Sequence, residues 1–321
     1  MITVKDVEAA RERIAPHIYR TPLVRSAFLS DLIGADVHLK LECQQRLNAF
    51  KVRGVLNRVL TLTPEERKRG VVVPSSGNHG IAASYCGRLW DIDVEVFVPR
   101  DTPKTKTDKI KYYGGHLNTD GADYDGAFQL ATARAKATGK TLLDPSADPL
   151  AAAGHGTVGF EILEDLPNVD DVLVPVGSGG LVTGIGLVMR SRRPGARVYG
   201  VQSEASPALT ASLTEGVLYE VYPSAPSICE GLIGGIGPIC FAKAKECLDE
   251  AVNADEEAVR RAVVTLLRYD KVVSEGSGAV GVAYLMEHRE RFRGRQVVTV
   301  ITGGNLDFSV LVQEVRKAVD F

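Results

Sequence analysis

The feature that most restricts how this chain can fold is an alternation repeated along its length. Short, almost wholly apolar runs occur at Gly70–Pro74, Ile92–Pro99, Val172–Val176, Val198–Val201 and Val297–Ile301. That is the pattern of parallel strands covered on both faces. Between them lie stretches with helical spacing. His79–Trp90 is rich in small residues, Asp125–Ala137 carries Ala127, Leu130, Ala131 and Arg134 at three- and four-residue intervals, and Glu256–Tyr269 aligns Val259, Val263, Leu266 and Leu267. Thr63 before Pro64 predicts a helix start, hydroxyl at the cap and proline in the first turn. The order predicts an α/β protein with helices on both faces of a mainly parallel sheet. Val37–Glu42 alternates apolar and polar residues and predicts an edge strand with one wet face.

With 321 residues, 45% hydrophobic and 24% charged, the chain can bury a substantial core in one or two domains. No linker-like segment marks a boundary, so a two-domain chain would pass back and forth across a cleft that holds the site. Residues 53–145 contain their own strand-helix units and are expected to form a small inserted α/β domain, with 1–52 and 146–321 as the large one. A net charge of −2 provides no electrostatic reason to expect nucleic acid or an anionic membrane. No apolar run approaches the roughly 18–20 residues that span a bilayer, and Met1–Glu8 lacks the apolar core of a signal peptide. The five cysteines are scattered without CxxC spacing, which fits reduced thiols in a cytoplasmic protein rather than a zinc site or a disulfide framework.

Three loops at predicted strand ends carry chemistry. Gly177-Ser178-Gly179-Gly180 joins an apolar run to the helical stretch from Leu181. Its N–H groups and the helix start can cradle a phosphate, though a tight turn without a ligand has the same composition. A dinucleotide fingerprint would need glycine where Val182 stands, although Glu204 does sit near the end of the next strand; no GxxxxGK[ST] loop occurs. Ser75-Ser76-Gly77-Asn78-His79-Gly80 opens the next helical stretch and can receive a carboxylate through hydroxyls, an amide and helix N–H groups. Ser76 or Asn78 could equally be a simple cap, and His79 a packed histidine. Thr302-Gly303-Gly304-Asn305 ends the last strand and can meet a flat ring edge-on, while Glu275-Gly276-Ser277-Gly278 forms a further strand-end turn. Glu275 reads as a helix-start acid or as a cleft residue. Upstream of all of them, Lys51 lies between Phe50 and Val52. An apolar setting lowers a lysine pKa and frees the amine as nucleophile and base. Arg53 is expected to pair with a carboxylate.

These motifs in this order resemble the fold-type II pyridoxal-phosphate enzymes, and most closely the serine/threonine dehydratase and serine racemase group. The resemblance runs from Arg20-Thr21-Pro22-Leu23 to Thr302-Gly303-Gly304-Asn305. It implies a tryptophan synthase β-like fold, two domains with mainly parallel sheets flanked by helices, and pyridoxal 5'-phosphate as cofactor. It further implies that Lys51 is the Schiff-base lysine, that Phe50 packs beside the ring, and that Asn78 bonds the ring hydroxyl; Glu275, read above as a helix-start acid or a cleft residue, is grouped with these cofactor contacts. Gly177, Ser178, Gly179, Gly180 and Leu181 would hold the phosphate, and Thr302 would face the pyridine nitrogen as a neutral partner. Ser75, Ser76, Asn78 and His79 would receive the substrate carboxylate, and Ser76 matches the second catalytic residue of the racemases. The implied activity is deamination of a 2-amino-3-hydroxy acid such as threonine or serine to a 2-oxo acid and ammonia, with racemisation as the alternative and a homodimer as the expected assembly. A nucleotide-binding protein without chemistry would leave Lys51 and the serine-asparagine loop without a shared purpose.

The chain also departs from the family. Ala49 replaces the common serine before Phe50, and Cys229-Glu230-Gly231 replaces an Ala-Asp-Gly beside the substrate side chain. Gln202, Ser206 and Ala208 stand where metal-activated relatives carry acids, so no metal site is expected. With sixteen residues after Asn305, no C-terminal regulatory domain of the biosynthetic threonine deaminase kind is expected.

Overall fold

A computed structural model of the chain describes residues 1–75, 77–102 and 104–319, so the expectations placed on Ser76 lie outside the described residues. Among the described residues ten strands form two sheets: β1 Leu23–Arg25, β2 Asp36–Lys40, β3 Val71–Pro74, β4 Val94–Pro99, β5 His116–Gly121, β6 Thr141–Leu142, β7 Asp171–Pro175, β8 Arg197–Ser203, β9 Glu250–Ala254 and β10 Gln296–Val300. The larger sheet has the order β1-β2-β10-β7-β8-β9 and the smaller β5-β4-β3-β6. Every pairing is parallel except that of β1 with β2.

Alternate residues of the central strands enter opposite cores, which is why their sequences are apolar throughout. Leu173 and Val297 pack with the helices Glu256–Thr265 and Gly276–Glu287. Val172, Val174, Val298 and Val300 pack with the helices Pro149–Asp165 and Gly180–Arg192. In the smaller sheet Val71, Val73, Val94 and Val96 face Val52, Val55, Leu56 and Val59 of the helix Lys51–Leu60. Val72 and Phe97 face Ala127, Ala131 and Ala135 of Tyr124–Thr138. The predicted start at Thr63 is present as a full capping box with Glu66.

Three expectations need correction. β2 is not an edge strand, because the three-residue β1 covers it. Its alternation arises because Lys40 is wholly buried and serves an internal ion pair with Glu161 rather than water. The helix expected over Glu256–Tyr269 ends at Thr265 and continues as one wider π-type turn, Leu266–Asp270. Glu275 follows no strand; it caps the helix Gly276–Glu287. β5, β6 and β9 had no sequence reading: β5 is polar and exposed, and β6 has two residues. Among the described residues no helix is long and apolar enough to cross a membrane.

Candidate active site

Backbone pairing brings residues far apart in the chain to one point. After β10 the chain bridges Gly303 to Ala49 in antiparallel fashion. Phe50 N–H donates to the Thr302 carbonyl at 3.0 Å, and Gly304 N–H to the Asn48 carbonyl at 2.9 Å. Glu275 N–H donates to the Gly303 carbonyl at 3.0 Å. Lys51, Thr302 and Glu275 are thereby joined across the carboxyl ends of the larger sheet, where ligands of open α/β sheets bind.

Lys51 is the first residue of its helix. Its ammonium lies 5.1 Å from the centroid of the Phe50 ring. The side chain is half-buried but crowded by protein, and desolvation lowers its pKa to about 8 against the opposing pull of Glu275. At pH 7 about one such amine in ten is neutral, against about one in 2500 for a free lysine. Arg53, two residues on, is wholly buried. It makes a bidentate pair with Glu42 at 2.8 and 2.8 Å and bonds Glu161 at 2.6 and 2.9 Å. Lys40 completes the cluster on Glu161 at 2.6 Å, and Thr21 of the opening motif donates to Glu42 at 2.6 Å. The carboxylate expected to pair with Arg53 is in fact two carboxylates.

The glycine loop leaves β7 and turns into the helix Gly180–Arg192. Gly179 adopts φ +94°, and a β-carbon there would stand 2.2 Å from Cys240 Sγ. The first intrahelical bond is Thr183 N–H to the Gly179 carbonyl, so the N–H groups of Gly180, Leu181 and Val182 have no intrahelical acceptor. Ser178 Oγ donates to the Pro145 carbonyl at 3.0 Å and retains lone pairs for a further partner. Leu181 is buried beneath the loop.

Asn78 opens the helix Asn78–Trp90 and reaches from the end of β3 to residues beyond the larger sheet. Its Nδ2 donates to Glu275 Oε1 at 3.0 Å, and its Oδ1 accepts from Asn305 Nδ2 at 2.7 Å. Burial raises the Glu275 pKa to about 7 despite the Asn78 bond. The His79 ring is buried, with Nε2 3.2 Å from the Leu143 carbonyl. Burial, with Lys51 nearby, lowers its pKa to about 3, so what it can offer an anion is a backbone N–H. Ser75 is half-buried and its Oγ accepts from Gly77 N–H at 3.3 Å. Thr302 is buried at the end of β10.

Two residues at this site, Lys109 and His155, had no sequence reading. Asn305 closes the strand-end motif and was legible there, while Lys109, which donates to Asn305 Oδ1 at 2.9 Å, lies on an exposed lysine-rich helix with no signal. His155 is a lone histidine in an alanine- and glycine-rich helix, and its ring meets Phe50 edge-on at 4.7 Å. Among the described residues no cluster of three or more His, Cys, Asp or Glu could hold a metal, and all five cysteines are free and buried.

A family model described as pyridoxal-phosphate dependent enzyme matches residues 14–303. The chain is 37% identical over 320 residues to an L-threonine ammonia-lyase of Thermotoga maritima, covering 99% of this chain and 79% of that protein. It is 33% identical to the catabolic L-threonine dehydratase TdcB of Escherichia coli K12, covering 97% and 95%. Among solved structures, maize serine racemase superposes with a TM-score of 0.90 at 28% identity, over 99% of this chain and 98% of the other.

Proposed function

The chain belongs to the pyridoxal-phosphate dependent enzyme family, and from that premise we propose that it is an ammonia-lyase converting a 2-amino-3-hydroxy acid, threonine or serine, to a 2-oxo acid and ammonia. Its cofactor is pyridoxal 5'-phosphate. The observation that carries the reading is Lys51: an amine with pKa lowered to about 8, tied through its neighbour Phe50 to the end of β10 and opposed by Glu275.

The described residues fit that cofactor. Three helix N–H groups and a glycine held at positive φ form a cradle for a dianion. Lys51 would hold the aldehyde carbon, Phe50 would flank the ring, and Asn78 with Glu275 would bond its hydroxyl. Thr302 would meet the ring nitrogen, and Gly177, Ser178, Gly179, Gly180 and Leu181 would hold the phosphate. When bound, the cofactor supplies an electrophilic carbon for amines and a conjugated ring that accepts negative charge from Cα.

The chain's own groups then divide the remaining work. Lys51 Nζ, neutral often enough near pH 8, takes the proton from the substrate Cα. The start of the Asn78 helix, with Ser75 and Ser76, receives the substrate carboxylate through hydroxyls and N–H groups without a cationic side chain. Thr302 is uncharged, so it does not force a proton onto the ring nitrogen. Asn78, bonded to both Glu275 and Asn305, ties the loop after β3 to the residues that follow β10.

The reading includes the division at 53–145, a cytoplasmic location and a homodimer; sedimentation of the loaded enzyme tests the last. A second activity, inversion at Cα, is favoured by the overlap with maize serine racemase. L-Serine and L-threonine are assayed for 2-oxo acid and for D-isomer. Lys51→Ala abolishes turnover by at least about a thousandfold while circular dichroism stays native; full turnover by that variant overturns the proposal.

A further inference from the structure

We infer that His155 belongs to the phosphate cradle, with its Nε2–H donating to the phosphate held at the start of the Gly180 helix. The inference rests on the proposed cofactor and concerns a residue outside every motif that carried that reading.

His155 lies mid-way along the helix Pro149–Asp165 and is 3% exposed. Its surroundings fix where the ring edges point. A β-carbon at Gly54 would fall 2.2 Å from its Cε1 and 2.6 Å from its Nε2, and one at Gly180 would fall 3.7 Å from its Cδ2. The Nε2 edge therefore faces the gap between the start of the Lys51 helix and the start of the Gly180 helix. Phe50 closes one side of the ring at 4.7 Å. The other nitrogen, Nδ1, is buried with no hydrogen-bond partner among the described residues.

That asymmetry selects the tautomer. A buried N–H without an acceptor is rarer and costlier than a bare acceptor lone pair, so the proton resides on Nε2. Burial, together with the positive charges of Lys51 and Arg53, holds the imidazole neutral across the working pH range. The ring is thus an uncharged donor aimed at the helix start, where three N–H groups already converge. A phosphate there satisfies Nε2–H without introducing a second buried cation beside Lys51. The competing role is packing alone, a wedge between Phe50 and Gly54.

Binding by the apoprotein separates these roles when pyridoxal 5'-phosphate is compared with pyridoxal, which lacks the phosphate. His155→Phe keeps an aromatic wedge and removes the donor. It weakens pyridoxal 5'-phosphate about tenfold or more and leaves pyridoxal unchanged, and His155→Gln recovers part of the loss. Equal loss for both ligands, or loss for neither, overturns the inference. If wild-type apoprotein binds neither ligand, the cofactor reading itself fails. Should His155→Phe not fold, imidazole nitrogen resonances of wild-type protein decide: Nε2–H shifts on loading with pyridoxal 5'-phosphate and not with pyridoxal, and no such difference overturns the inference.

Discussion

At Glu275 partial burial and proton binding are coupled. In the unfolded chain it titrates near about 4.3, whereas desolvation raises it to about 7 in the folded protein. Between those values the folded state retains a proton that the unfolded state releases, so stability falls as pH rises through that window. Above it both states are ionised and the loss is complete. Glu275→Gln keeps an oxygen for Asn78 and removes the charge. Its melting temperature relative to the parent therefore climbs between about pH 5 and about pH 8; a relative fall over that range would show a carboxylate stabilised by its charge. Lys51 stands out in the sequence because an apolar pair flanks it and three glycine-containing loops follow. Glu275 was only half-legible, since nothing in Glu275-Gly276-Ser277-Gly278 says that Asn78 will meet it from 197 residues away. His155 was silent, because a single histidine among alanines and glycines carries no periodicity.

At the scale of elements, the Lys51 helix is held by an internal ion cluster and by a close helix crossing. Arg53, Lys40, Glu42 and Glu161 balance two positive against two negative charges with almost no water. Removing one member leaves an uncompensated charge. Arg53→Ala is expected to cost about 3–5 kcal/mol in urea unfolding, and Arg53→Lys recovers little, since an ammonium cannot make the bidentate pair. A cost under about 1 kcal/mol would mean that water enters the cluster. At the crossing, a β-carbon on Gly54 would meet the Ala151 carbonyl oxygen at 2.5 Å, and one on Gly154 the Arg53 carbonyl oxygen at 2.4 Å. The same cluster explains the misread β2. Alternation is normally the mark of a wet face, and only the fold reveals that Lys40 points at Glu161.

Across the whole molecule, two helices beside the smaller sheet, Asn78–Trp90 and Lys104–Tyr112, reach residues beyond it through side chains. Asn78 reaches Glu275 and Asn305, Lys109 reaches Asn305, Thr105 reaches Asp307, and Lys106 pairs with Glu230. Lys109 is exposed, so Lys109→Ala changes stability by less than about 1 kcal/mol. Because Asn305 then loses a partner beside Asn78, KM for the amino acid rises severalfold with little change in kcat; an unchanged KM would show that this contact does not hold the cleft.

The sequence by itself determined the α/β class, the strand ends that bear loops and the lysine, because apolar period, glycine and turn chemistry are local properties readable within a dozen residues. The tertiary structure alone decided which distant groups come together, that Lys51 and Glu275 are both desolvated, and which way the rings of His79 and His155 face. Those outcomes depend on desolvation and on contacts between segments up to two hundred residues apart or more, such as Phe50 with Thr302, and no local pattern encodes them.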